Sequence, residues 1–190
     1  MPARRHGLRT CLAFFVALPL QAAEPTLLVF GDSLSAGYGI DMRQAWPELL
    51  QQRLQAQGYR HRVVNASISG ETTAGGRNRL TGELKQHRPA IVILELGAND
   101  GLRGLPLLAA EKNLGAMIEE SQRAGAKVLL AGIRLPPNYG AYGERLFEMY
   151  GKLARRHKTA LLPFLLDGVG GESTLMQTDG LHPRADAQPR

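Results

Sequence analysis

Five short apolar runs punctuate the chain: TLLVF (26–30), HRVVNA (61–66), AIVILEL (90–96), AKVLLAGI (126–133) and TALLPF (159–164). They are rich in β-branched residues and do not alternate strictly with polar ones. That is the pattern of strands buried on both faces. Between them the period changes. Over 44–57, Trp46, Leu49, Leu50 and Leu54 recur at helical spacing, with Pro47 near the start and Gly58 at the end. Residues 72–87, 106–124 and 143–157 fill the other gaps as helices. The order βαβαβαβαβ predicts an α/β fold, a five-stranded parallel sheet with helices on both faces joined by right-handed crossovers. No repeat, linker or low-complexity segment interrupts it, and 190 residues suffice for one domain with a sizeable core.

The first 23 residues stand outside this pattern. Arg4, Arg5 and Arg9 precede a short apolar run, CLAFFVALPL (11–20), and then the small residues of LQAAEP. The run is too short to span a bilayer. The order of charge, apolar stretch and small residues reads as a secretory signal peptide cleaved near Ala22 or Ala23. The expectation is therefore a signal peptide over 1–23, a domain over 24–190, and a periplasmic or secreted mature protein. Cys11 lies in the wrong context for a lipoprotein anchor.

Removing the leader changes the charge and the redox chemistry. The whole chain carries a net +6. Three arginines and no acid leave with residues 1–23, so 20 basic side chains face 17 acidic ones and the net charge falls to +3. That is too mild to argue for nucleic acid. Arg77, Arg79, Lys85 and Arg88 are expected on solvated helix faces. The single cysteine also leaves, which excludes an intramolecular disulfide, a thiol nucleophile and a cysteine metal site in the mature protein.

In an open parallel sheet, ligands bind beyond the carboxyl ends of the strands. After the first strand comes Gly31-Asp32-Ser33; after the second, SISGET with Gly70; after the third, GAND with Asn99 and Asp100. The fourth is followed by RLPPNYGAYG, and the fifth, past a loop, by TDGLHP with Asp179 and His182. The fold thus gathers a serine, an asparagine, an acid and a histidine on one edge. A serine hydroxyl needs a base to take its proton, and His182 is the only histidine placed there; His61, His87 and His157 read as surface. Asp179 is close enough in sequence to hold the same imidazole. The backbone N–H groups of Ser33 and Gly70 and the Asn99 side chain are candidate oxyanion donors. Gly70 is otherwise a turn glycine and Asn99 a helix cap. Asp32 braces the turn, and Ser35 and Ser69 are turn or capping hydroxyls. GDSLSAGYG lacks the Lys-Ser/Thr pair of a phosphate-binding loop, and Asp179 and His182 have no neighbouring cluster to complete a metal site.

The blocks FGDSLSAGYG, NASISGETTAGG, ELGANDGLRG and DGLHP, in this order, resemble the GDSL, or SGNH, hydrolase family. Within it GDSLSAGYG, LGANDGLRGLP and IRLPPNYG look like the periplasmic thioesterase I/lysophospholipase/arylesterase branch. The resemblance runs from Thr26 to Pro189. It implies a three-layer α/β/α, flavodoxin-like fold, with Ser33 as nucleophile, His182 as base and Asp179 as its orienting acid. It also implies an oxyanion hole of Ser33, Gly70 and Asn99. The activity implied is hydrolysis of thioesters, aryl esters and lysophospholipids without a cofactor or a metal. The expected partner is a small acyl ester or thioester, met by a monomer with no stable membrane anchor. The acyl chain is expected against Leu102, Leu105, Leu107, Pro136, Tyr139 and Tyr142. Two departures stand out. Ala98 replaces a glycine common in the third block, which would alter the setting of Asn99. The chain also stops at Arg190, where relatives continue into a final helix, so a missing helix and a weakened fold are expected. The alternatives are a carbohydrate O-acetylesterase of the same fold, and a non-catalytic acyl- or lipid-binding protein.

Overall fold

A computed structural model describes residues 24–190; the signal-peptide expectation falls on 1–23, outside the described residues. All five predicted strands form: β1 (Thr26–Gly31), β2 (Arg62–Asn65), β3 (Ile91–Glu95), β4 (Lys127–Ala131) and β5 (Ala160–Leu162). They make one parallel sheet in the order β2-β1-β3-β4-β5. The order reverses at β1, so the loops after β1 and β3 leave adjacent strands at a switch point.

Side chains alternate across the sheet and divide the core in two. Leu28, Phe30, Val92, Leu94, Val128 and Leu130 face one side. There they meet three helices: α3 (Thr73–His87), α5 (Leu107–Arg123) and α6 (Gly140–His157). Leu27, Val29, Ile93 and Ala131 face the other side, against Trp46, Leu50 and Leu54 of α2 (Trp46–Ala56). Pro47 sits in the first turn of α2, where its missing N–H costs nothing. Coverage on this second face is incomplete. Ile93, Leu129 and Ala131 open on an apolar groove of about 400 Å³ bounded by Trp46, Leu50 and parts of the 162–190 segment.

Three sequence expectations need correction. Burial on both faces holds for β1, whose six residues are all buried, but not for β2 and β5. These are the sheet edges, with a neighbour on one side only. β5 is also shorter than its apolar run, because Pro163 has no N–H for the ladder. Arg79 is not on a solvated face. Its side chain is 21% exposed, its Nε lies 2.5 Å from Glu71 Oε2, and its guanidinium stacks 4.0 Å over the Phe30 ring. Arg77, Lys85 and Arg88 are exposed, as expected. His87 and His157 are half-buried beside Glu83 and Glu119, rather than free at the surface.

Two short helices went unpredicted, α1 (Ser33–Ala36) and α4 (Ala98–Leu102). At four and five residues they are too short to show a hydrophobic period. They start directly after β1 and β3, and they carry Ser33 and Asn99.

Candidate active site

Ser33 is the first residue of α1, and Asp32 caps that helix by accepting the Leu34 N–H at 3.1 Å. This cap turns the chain sharply at the end of a fully buried strand and leaves Ser33 half-exposed. His182 comes from the far end of the chain. An isolated bridge between Met176 and Pro183 closes the turn that presents it. His182 Nε2 stands 2.8 Å from Ser33 Oγ, and Nδ1 stands 2.7 Å from Asp179 Oδ2. The other carboxylate oxygen, Oδ1, accepts the N–H groups of Leu181 at 2.9 Å and His182 at 3.0 Å. Partial burial pushes the Asp179 carboxyl up, but the His182 ring and these two N–H donors outweigh it and lower it to about 2. Asp179 is therefore an anion at every working pH, and fixes the tautomer that leaves Nε2 free to accept a proton.

Asn99 lies in α4, whose N-cap is Gly97, so capping is not its role. Its Nδ2 donates one hydrogen to Asp32 Oδ2 at 3.1 Å, and the amide has a second to offer. One Asp32 carboxylate thus holds both the Ser33 turn and the Asn99 amide. Buried Asp100 anchors α4 by accepting Thr73 N–H at 2.8 Å and Thr73 Oγ1–H at 2.6 Å. Ala98 takes the helical conformation without a positive φ, so the backbone here does not call for a glycine. Gly70 adopts φ +82°, which only glycine takes without strain. Its turn is tied to the site from two sides. Ile68 N–H donates to Gly31 O at 3.0 Å, and Arg103 Nη2 donates to Gly70 O at 3.0 Å.

Beneath the serine lies a feature the sequence reading passed over. Glu95, fully buried at the end of β3, accepts Ser35 Oγ–H at 2.6 Å and Asp32 N–H at 3.2 Å. Ser35 is thus no capping hydroxyl. Burial first, and Asp32 beside it second, push the Glu95 carboxyl well above the ordinary range. Burial likewise lifts Asp32, against the pull of Leu34 N–H, Asn99 and His182, to about 6. The signal was available: an acid inside the apolar run ILEL must be neutral or tightly bonded.

The Asp32 shift has a measurable consequence. Its folded pKa is raised, so the folded state holds this proton more tightly than the unfolded chain. The stabilisation is complete below the ordinary value of 3.8 and is lost as pH rises through about 6. Asp32→Asn removes the ionisation and should raise unfolding free energy at pH 7.5 by up to about 2 kcal/mol relative to its effect at pH 4.5. Urea titrations at the two pH values check this. A variant that loses more stability at pH 7.5 than at 4.5 would show that the donors outweigh burial.

A cavity of about 220 Å³ opens directly on Ser33, Asn99 and His182. Its wall is mainly apolar: Leu34, Leu102, Ile133, Leu135, Pro136 and Phe164. Leu102 and Pro136 were expected there. Leu105, Leu107, Tyr139 and Tyr142, also expected there, stand outside the lining; Tyr139 OH donates to Leu102 O at 3.2 Å, and Leu105 O accepts from Tyr142 OH at 2.6 Å. Ile133 and Phe164 come from the ends of runs that read as strand, so their role was hidden in the apolar pattern. Among the described residues no group of three or more His, Cys, Asp and Glu side chains could hold a metal ion.

A hydroxyl, an imidazole and a carboxylate in one hydrogen-bonded line, beside an apolar cavity on an α/β/α sheet edge, define a serine hydrolase of the three-layer class. Residues 29–188 match the GDSL-like Lipase/Acylhydrolase family, and the chain belongs to it. It is 55% identical to Esterase TesA of Pseudomonas aeruginosa over 181 residues, 95% of this chain and 90% of that protein. It is 47% identical to Thioesterase 1/protease 1/lysophospholipase L1 of Escherichia coli K12 over 178 residues, 93% of this chain and 84% of that one. The crystal structure of TesA superposes with a TM-score of 0.85 at 55% identity, covering 87% of this chain and 92% of that one.

Proposed function

We propose that this protein hydrolyses esters and thioesters of acyl groups through an acyl-enzyme on Ser33. The single observation that carries the reading is the line Ser33 Oγ–His182 Nε2–His182 Nδ1–Asp179, with links of 2.8 Å and 2.7 Å, at the mouth of an apolar cavity. His182 takes the Ser33 proton as Oγ bonds to the acyl carbon. The carbonyl electrons move to oxygen, and the N–H groups of Ser33 and Gly70 and the free Asn99 N–H meet that charge. His182 then gives its proton to the departing alcohol or thiol, and the acyl group stays on Ser33. Water then enters, loses a proton to His182 as its oxygen bonds to the acyl carbon, and the carbon–Oγ bond breaks; Ser33 Oγ takes the proton back from His182 and the carboxylic acid leaves.

The sequence identity to relatives named esterase and thioesterase supports both substrate classes. The order of charged, apolar and small residues at 1–23 supports export, so we read the mature enzyme as periplasmic or secreted. We read it further as a monomer without a stable membrane anchor. Among the described residues no helix is long and apolar enough to cross a membrane.

A p-nitrophenyl ester series tests the substrate class. Each methylene buried in the cavity is worth about 0.8 kcal/mol, or roughly fourfold in kcat/KM. The rate should climb from acetyl to medium chains and then level as the cavity fills. A maximum at acetyl would instead indicate a carbohydrate O-acetylesterase. Absence of covalent labelling by a fluorophosphonate would indicate an acyl-binding protein.

A further inference from the structure

The turn that holds Asp179 and His182 is fastened to the Ser33 loop by a side chain the chemistry does not use. Gln177 Nε2 donates to Tyr38 O at 2.8 Å and to Pro183 O at 3.0 Å. Its backbone N–H donates to His182 O at 2.8 Å. Tyr38, just past α1, lays its ring against the His182 imidazole, with centroids 4.6 Å apart and planes inclined at 38°. The fit between the two loops is close. Gly39 sits at φ +75°, and a Cβ there would collide with Gln177 Oε1.

The geometry gives these contacts a purpose. The bonds at Nδ1 and Nε2 both lie near the ring plane and together define a line. They leave the imidazole free to tilt about it. The Ser33 bond is also broken each time Ser33 carries an acyl group, so it cannot hold the ring through a whole cycle. A second ring against one face removes the tilt. It also offers its π-electrons to the imidazolium that forms when the proton moves. Tyr38 is 53% exposed, and an exposed tyrosine alone would be ordinary surface. Here the residue that pins the Tyr38 backbone also pins the His182 backbone.

We propose that Gln177 and Tyr38 are positioning residues, Gln177 fixing the spacing of the two loops and Tyr38 holding the imidazole in the plane that faces Ser33. This rests on the reading of Ser33 as nucleophile and His182 as base. The test uses the full chain with Tyr38→Ala, Tyr38→Phe and Gln177→Ala. It measures kcat and KM on p-nitrophenyl butyrate and the rate of fluorophosphonate labelling of Ser33. Small misplacements of a reacting group cost up to about a hundredfold. Tyr38→Ala and Gln177→Ala should lower kcat by about ten- to a hundredfold and slow labelling by a similar factor, with KM within about twofold. Tyr38→Phe keeps the ring and the carbonyl and should restore most of the rate. The double variant should lose little more than the worse single, because both act through one imidazole. Unchanged kcat in Tyr38→Ala, a loss confined to KM, or a Tyr38→Phe as slow as Tyr38→Ala would each overturn the proposal. Should Gln177→Ala fold poorly, the exposed Tyr38 pair decides alone. Ser33→Ala separates the two claims. If it stays active, the nucleophile is misassigned; if it is inactive while the Tyr38 and Gln177 variants match wild type, only the positioning role falls.

Discussion

Replacing Ser33 with alanine should lower kcat by roughly a millionfold, the loss seen when a nucleophile leaves a comparable triad. Removing the nucleophile abolishes the acyl-enzyme, and a water in its place lacks both its fixed position and its pairing with His182. The fold should survive. Ser33 Oγ has His182 as its hydrogen-bond partner among the described residues, and an alanine fits the first position of α1 without strain. Substrate binding should change little, because the cavity wall and the Asn99 amide remain in place. The measurement is kcat on a p-nitrophenyl ester alongside a thermal melt. More than a few per cent of wild-type activity in a cooperatively folded variant would rule out the serine mechanism.

Much of this site is legible in the sequence because fold and chemistry constrain each other. Five apolar runs alternating with helical stretches dictate a parallel sheet, and a parallel sheet dictates a carboxyl edge. That edge brings Ser33 within 2.8 Å of His182, although most of the chain separates them. What was illegible depends on side-chain geometry that no period encodes. Arg79 resembles any helix arginine until Phe30 is known to end beneath it. Phe164 and Ile133 read as strand residues, and only the ends of β4 and β5 turn them into a cavity wall. The helices α1 and α4 are set by caps and tertiary bonds, not by amphipathic spacing. The Asp32–Glu95 pair shows the opposite case, in which a misplaced polar residue did carry information. The glutamate inside the apolar run ILEL is that residue, unremarked in the strand pattern, and its bonds to Asp32 N–H and Ser35 Oγ support the turn that carries Ser33.

Asp179→Asn should lower kcat about ten-thousandfold, far more than the loss of one surface hydrogen bond. The reason lies in which oxygen does what. Oδ1 already accepts two backbone N–H groups, so the asparagine oxygen will settle there and keep the turn intact. The amide NH₂ must then occupy the Oδ2 position, 2.7 Å from His182 Nδ1. A donor facing Nδ1 forces that nitrogen to accept, and the ring proton moves to Nε2. Nε2 then meets Ser33 Oγ as a donor and cannot take its proton. The variant also lacks the negative charge that stabilises the imidazolium in the transition state. KM should stay near wild type, since neither Asp179 nor the far side of the ring touches the acyl group. The melting temperature near neutral pH should fall only slightly. The acid side differs: a depressed carboxyl contributes stability above 3.8 that is lost as pH falls through about 2. Asp179→Asn should therefore flatten the decline in stability between pH 4 and 2. Steady-state kinetics at neutral pH and melts across the acid range check both claims. A loss of only about tenfold in kcat would show that Asp179 holds the turn and leaves the tautomer to another group.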